Sequence, residues 1–118
     1  MKTKVPSEAL ECVRLVDYLR NKNIKFSHIA NEASSRTQRI KNARLGTVPG
    51  VPDFLLLIPG RDDCCFIEMK RQKGGRVSPE QKLWIDALRA QGQQAFVCAG
   101  FEQAKAHIEA LLAQESVK

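Results

Sequence analysis

The sequence lacks the raw material of disulfide scaffolds, zinc sites and membrane spans. Its four cysteines (Cys12, Cys64, Cys65, Cys98) form no CxxC pair, so neither a zinc ribbon nor a disulfide framework is expected. They read as reduced, mostly buried thiols in a cytosolic protein. The two histidines, His28 and His107, stand isolated. No wholly apolar run exceeds the five residues 54–58, far short of the roughly 20 that a membrane helix needs. No apolar stretch follows Met1-Lys2-Thr3-Lys4, so no secretory signal is expected. Acids are missing from two whole segments, 33–52 and 69–79. The first carries Arg36, Arg39, Lys41 and Arg44; the second carries Lys70, Arg71, Lys73 and Arg76.

What is present suits one globular α/β domain over 1–118. Apolar residues make up 43% of the 118 and charged residues 27%, which excludes wholesale disorder. Nineteen Lys and Arg against thirteen acids give +6, concentrated in the two acid-free segments. That distribution suits a polyanion, nucleic acid first, although basic loops also serve solubility. Ser7 opens a helix to about Asn21, on near-helical apolar spacing. Residues 25–29 alternate as a short strand. Residues 31–48 are polar, basic and weakly periodic, either a loop or a loop with a short helix. Residues 53–58 read as a central strand covered on both faces. Residues 59–63 are a turn, and 64–70 the next strand. Ser78, Pro79 and Gln81 form a capping box that starts a helix. Its apolar face is Leu83, Trp84, Ile85, Ala87 and Leu88, and Gly92 ends it. A strand over 95–99 and an amphipathic helix over 102–114 complete a mixed sheet with helices on both faces.

Chemistry concentrates between residues 52 and 81. On a strand, Glu68 and Lys70 share a face, while Met69 points into the core. A hairpin across 59–63 sets Asp53 beside Glu68 and Lys70. Two converging carboxylates make a hard-oxygen site for Mg²⁺ or Mn²⁺. Such a metal polarises a phosphodiester and activates water, and Lys70 is placed to steer that water or offset developing charge. Each residue alone has a plainer role: Glu68–Lys70 as a surface ion pair, Asp53 as the polar edge of a turn, Trp84 as packing, His107 as structural or exposed. His28 borders the basic loop, within reach of phosphate.

Pro52-Asp53 followed by Glu68-Met69-Lys70 matches the PD-(D/E)XK nuclease motif. With Pro49-Gly50-Val51-Pro52-Asp53, Phe66-Ile67-Glu68-Met69-Lys70-Arg71 and Ser78-Pro79-Glu80-Gln81 in that order, residues 7–112 resemble the virus-type replication-repair nuclease (VRR-NUC) domain in its small stand-alone phage form. Asn31-Glu32 fits the same resemblance. It implies a restriction-endonuclease-like α/β core and a metal-dependent DNA endonuclease acting in replication, repair or recombination. Asp53 and Glu68 then correspond to metal ligands, the Met69 carbonyl to a further ligand, and Lys70 to the catalytic lysine. Gln81 matches a glutamine after the core motif, alongside its capping role. A first-helix glutamate is also implied. Glu8 is favoured because its row continues through Cys12, Leu15 and Leu19, with Glu11 the alternative; either also suits the helix dipole. Arg36, Arg39, Lys41, Arg44, Lys73 and Arg76 would hold the DNA backbone. Branched DNA or a Holliday junction is the expected substrate. A homodimer is the expected assembly, because one domain offers one metal centre and a junction two equivalent cuts. The rival reading is a non-catalytic nucleic-acid-binding module on a decayed nuclease fold.

Overall fold

Three serines set where helices begin in the computed structural model, which describes residues 4–29 and 35–114. The Ser7 hydroxyl accepts from the Leu10 N–H at 3.1 Å, and helix α1 runs Glu8–Asn21. Ser35 accepts from the Gln38 N–H at 3.0 Å and starts α2, Arg36–Arg44. Ser78 accepts from the Gln81 N–H at 3.1 Å while Gln81 Oε1 accepts from the Ser78 N–H at 2.9 Å. This capping box opens α3, Pro79–Ala90. The last helix, α4, is Phe101–Gln114.

Four strands form one sheet in the order β1 (Lys25–His28), β2 (Phe54–Leu57), β3 (Cys65–Lys70), β4 (Gln94–Ala99). β1–β2 and β2–β3 are antiparallel, and β3–β4 is parallel, with α3 as the crossover. Leu15 and Leu19 of α1, with Ala104, Ile108 and Leu111 of α4, bury Phe54, Leu56, Ile67 and Met69 on one face. Each such large side chain contributes about 1.5–3 kcal/mol of burial. On the opposite face α3 packs over β4, with Ile85 and Ala95 buried. The expected mixed sheet with helices on both faces is therefore present.

Of the two readings of the weakly periodic segment, the loop with a short helix is the one present: α2 buries no residue and among the described residues packs on no other helix or strand. Two expectations need correction. β2 is interior to the sheet but is not covered on both faces: Leu55 is half-buried and Leu57 is 46% exposed, because α3 reaches only β4. Leu83 is not on the apolar face of α3; it is 69% exposed, and Ile85 alone is fully inside. Asn31 and Glu32 lie outside the described residues.

Candidate active site

The β2–β3 hairpin carries Phe54 opposite Ile67. One further step along that register sets Asp53 opposite Glu68, and directly opposed side chains share a face. Asp53 is fastened there: its Oδ2 accepts the Met69 N–H at 2.8 Å, and its carbonyl accepts the Ile29 N–H at 2.6 Å. Glu68 is 3% exposed. Its Oε2 accepts from Gln81 Nε2 at 3.1 Å and lies 3.4 Å from Lys70 Nζ. Gln81 thus caps α3 through its oxygen and holds Glu68 through its nitrogen.

Burial, and then the neighbouring Asp53 carboxylate, push the Glu68 carboxyl up to about 8, against the pull of Lys70. Two carboxylates held together out of water are the arrangement a divalent cation relieves. Cys12 of α1 sits close enough to feel Asp53, Glu8, Glu68 and Glu11; burial first, and these acids next, raise its thiol to about 12. The two carboxylates themselves offer hard oxygen donors. Among the described residues no group of three or more His, Cys, Asp or Glu converges on a metal position. The remaining donors would be main-chain carbonyls and water. The Lys70 carbonyl is taken by the Gly100 N–H at 3.0 Å, on the β4 side. Backbone groups alternate along a strand, so the Met69 carbonyl faces the other side, with its own N–H and Asp53. The residues present fit an oxygen-ligated divalent cation.

Two cavities meet at Asp53. One, of about 460 Å³, is lined by Asp53, Glu68, Ser78, Gln81, the 47–51 loop and Arg39 of α2. The other, of about 510 Å³, is lined by Asp53, residues of α1 including Glu8, and the end of β1 including His28. Spacing alone left Glu8 and Glu11 open; the contacts separate them. Glu11 is fully buried and accepts from Gln72 Nε2 at 2.8 Å, the Phe101 N–H at 3.2 Å and Arg14 at 3.4 Å. It ties α1 to the loop after β3 and to the start of α4. Glu8 is half-buried and lines the cavity beside Asp53.

The basic residues divide. Arg39 shares the carboxylate cavity, whereas Lys41 and Arg44 line a shallow depression on another side of α2 with Ile40 and Leu45. Arg36 is exposed at the start of α2, and Lys73 and Arg76 are exposed in the loop after β3. Two positioning contacts had no sequence signal. Gln72 reaches Glu11 across 61 positions. Gly50 has φ +94°, and a Cβ there would lie 2.6 Å from the Glu80 main-chain carbon. That close approach latches the loop before Asp53 to the first turn of α3, next to Gln81. The glycine itself was visible in the motif; its contact was not.

A family model for the VRR-NUC domain matches residues 7–102. A solved structure of a protein named only as a VRR_NUC domain protein superposes with a TM-score of 0.79, covering 94% of this chain and 92% of that one at 20% identity. At that identity the likeness speaks for the fold. No curated protein matches the chain.

Proposed function

The chain belongs to the VRR-NUC family, and from that premise we propose that it is a divalent-metal-dependent DNA endonuclease selective for branched substrates. The family carries a nuclease-type function; the metal, the substrate structure and the assembly are our reading. One observation supports it above the rest: Asp53 and Glu68 oppose each other one step past the β2–β3 ladder, with Lys70 on the face of Glu68.

Asp53, Glu68 and the Met69 carbonyl would hold Mg²⁺ or Mn²⁺. When bound, such a cation polarises the phosphodiester and lowers the pKa of a coordinated water. The chain's own residues do the rest. Gln81 fixes the Glu68 carboxylate through Nε2, and the Met69 N–H fixes Asp53. Lys70, with its side chain largely buried, offers an ammonium against the negative charge that builds on the phosphoryl oxygens as water attacks phosphorus and the P–O bond to the leaving oxygen breaks. Glu8, from the neighbouring cavity, is the further acidic residue of the site. Arg39 holds a phosphate at the carboxylate cavity, and Arg36, Lys41, Arg44, Lys73 and Arg76 hold phosphates farther away. These contacts carry no sequence information, which favours recognition of DNA shape.

A homodimer is supported by symmetry, since a four-way junction presents two equivalent cuts. Among the described residues no helix is long and apolar enough to cross a membrane. The four unpaired cysteines suit the reducing cytoplasm of a bacterial or phage-infected cell. The test is a labelled panel of single-stranded, duplex, flap, splayed and four-way DNA with Mg²⁺ or Mn²⁺, beside light scattering. Preferred cutting of the branched members by a particle of twice 13.2 kDa is expected. A monomer that cuts junction and plain duplex equally would overturn both selectivity and assembly. Metal-independent DNA binding without cleavage would favour the non-catalytic module instead.

A further inference from the structure

The cavity of about 510 Å³ has no part in the scheme above beyond Glu8 and the shared wall at Asp53. Its surface is apolar along Val13 and Val16 of α1, and His28 stands across from them at the end of β1. The His28 ring lies flat on Phe54, with centroids 4.4 Å apart and planes 9° from parallel. Phe54 is fully buried in the core, so the histidine rests on a rigid base. His28 itself is exposed and lines the cavity, so its ring is within reach of an occupant. An aromatic ring supported from below and within such reach is a stacking platform for a nucleobase.

The charges say which part of a nucleotide enters. Among the described residues, Glu8, Asp17 and Asp53 line the cavity, with Arg20 the one Lys or Arg beside them. With Asp53 given to the cation, the carboxylates of Glu8 and Asp17 still oppose a phosphate here, yet a carboxylate accepts hydrogen bonds from exocyclic amino groups. The apolar wall suits the plane of a base. Asp53 lines both this cavity and the one that holds the carboxylate pair, so an occupant here sits one side chain away from the phosphate under attack. A base held in a duplex is stacked and paired, and cannot enter without leaving its partner.

We infer that this cavity receives an unpaired base of the cleaved strand, next to the scissile phosphate and stacked on His28. The inference rests on the nuclease reading and sharpens it: selectivity for branched DNA then comes from unpaired nucleotides at the branch, not from backbone shape alone.

The test compares two strands with the same phosphates, a deoxycytidine hexamer and a hexamer of abasic residues. Both are measured by fluorescence anisotropy in Ca²⁺ in place of Mg²⁺. The native protein should bind the cytidine strand about tenfold more tightly, the preference expected of one stacked base. His28→Ala should bring that ratio close to one. Loss of the Phe54 stack also touches the core, so Val13→Tyr provides a second variant. Position 13 is 54% exposed on α1, and the larger ring closes the cavity without disturbing the fold. Neither variant should change affinity for the abasic strand. Equal binding of the two strands by the native protein, or a preference that survives both substitutions, overturns the base site and leaves the nuclease reading standing. Failure to bind either strand also overturns the base site, while the nuclease reading falls only if the branched members of the cleavage panel stay uncut.

Discussion

Replacing Glu68 with glutamine should make the metal-free protein more stable at neutral pH, although it removes a proposed ligand. Burial and the Asp53 carboxylate lift the folded-state pKa of Glu68 from 4.5 to about 8. Over that window the folded protein keeps a proton that the unfolded chain has lost. Folding is therefore progressively penalised as pH rises from 4.5 to 8, and the penalty is constant above. Each pH unit costs up to about 1.4 kcal/mol, so by pH 7 the penalty approaches roughly 3 kcal/mol. Glutamine has the same shape and still accepts from Gln81, but it gives up the contact with Lys70 at 3.4 Å. A net gain of about 1–2 kcal/mol remains, or roughly 3–10 °C in Tm for a domain of this size. The assay is thermal melting in chelator at pH 5, 7 and 8.5. The native protein should lose stability across the series, and Glu68→Gln should lose much less. Parallel pH profiles, or a variant that melts lower at pH 8.5, would refute the reasoning from carboxylate crowding.

Lys70→Ala should lower turnover by about a hundredfold or more while leaving DNA affinity within a few-fold, as measured by single-turnover cleavage beside anisotropy. Arg36→Ala should do the reverse, weakening binding and flattening its salt dependence by about one unit of slope; equal binding loss in both variants would reduce Lys70 to one more phosphate contact. Gly50→Ala, at φ +94° and 2.6 Å from the Glu80 backbone, should cost about 2–3 kcal/mol in chemical unfolding and depress cleavage with it, because Asp53 and Gln81 sit on the two segments it separates.

The carboxylate pair was legible because strand geometry is periodic. Alternation gave Glu68 and Lys70 one face, and a hairpin across 59–63 put Asp53 opposite Glu68; the register of Phe54 with Ile67 delivers that pairing. Helices α1 and α3 were legible at their starts because Ser7 and Ser78 cap in the way their neighbours require. α2 was legible only as one of two alternatives, because a helix that buries nothing has no apolar period to read, and the Ser35 cap is what marks it. The exposure of Leu57 and Leu83 was hidden for a related reason: the sequence says which residues are apolar, but not how far α3 extends over the sheet. Glu8 and Glu11, three apart on one helix, are distinguished by tertiary contacts from Gln72 and Phe101, which lie 61 and 90 positions from Glu11. The division of the basic residues is of the same kind, since only the fold of the 47–51 loop puts Arg39 over the carboxylates and Lys41 and Arg44 elsewhere.

The central claim is that Asp53 and Glu68 together hold the divalent cation that cleavage requires. Calorimetric titration of Mn²⁺ into the native protein and into Asp53→Asn with Glu68→Gln tests it most directly, run at pH 6 and pH 8. The native protein should bind Mn²⁺ saturably, more tightly at pH 8 because Glu68 must release its proton, and the double variant should not bind it. Undiminished Mn²⁺ binding by the double variant would contradict the claim.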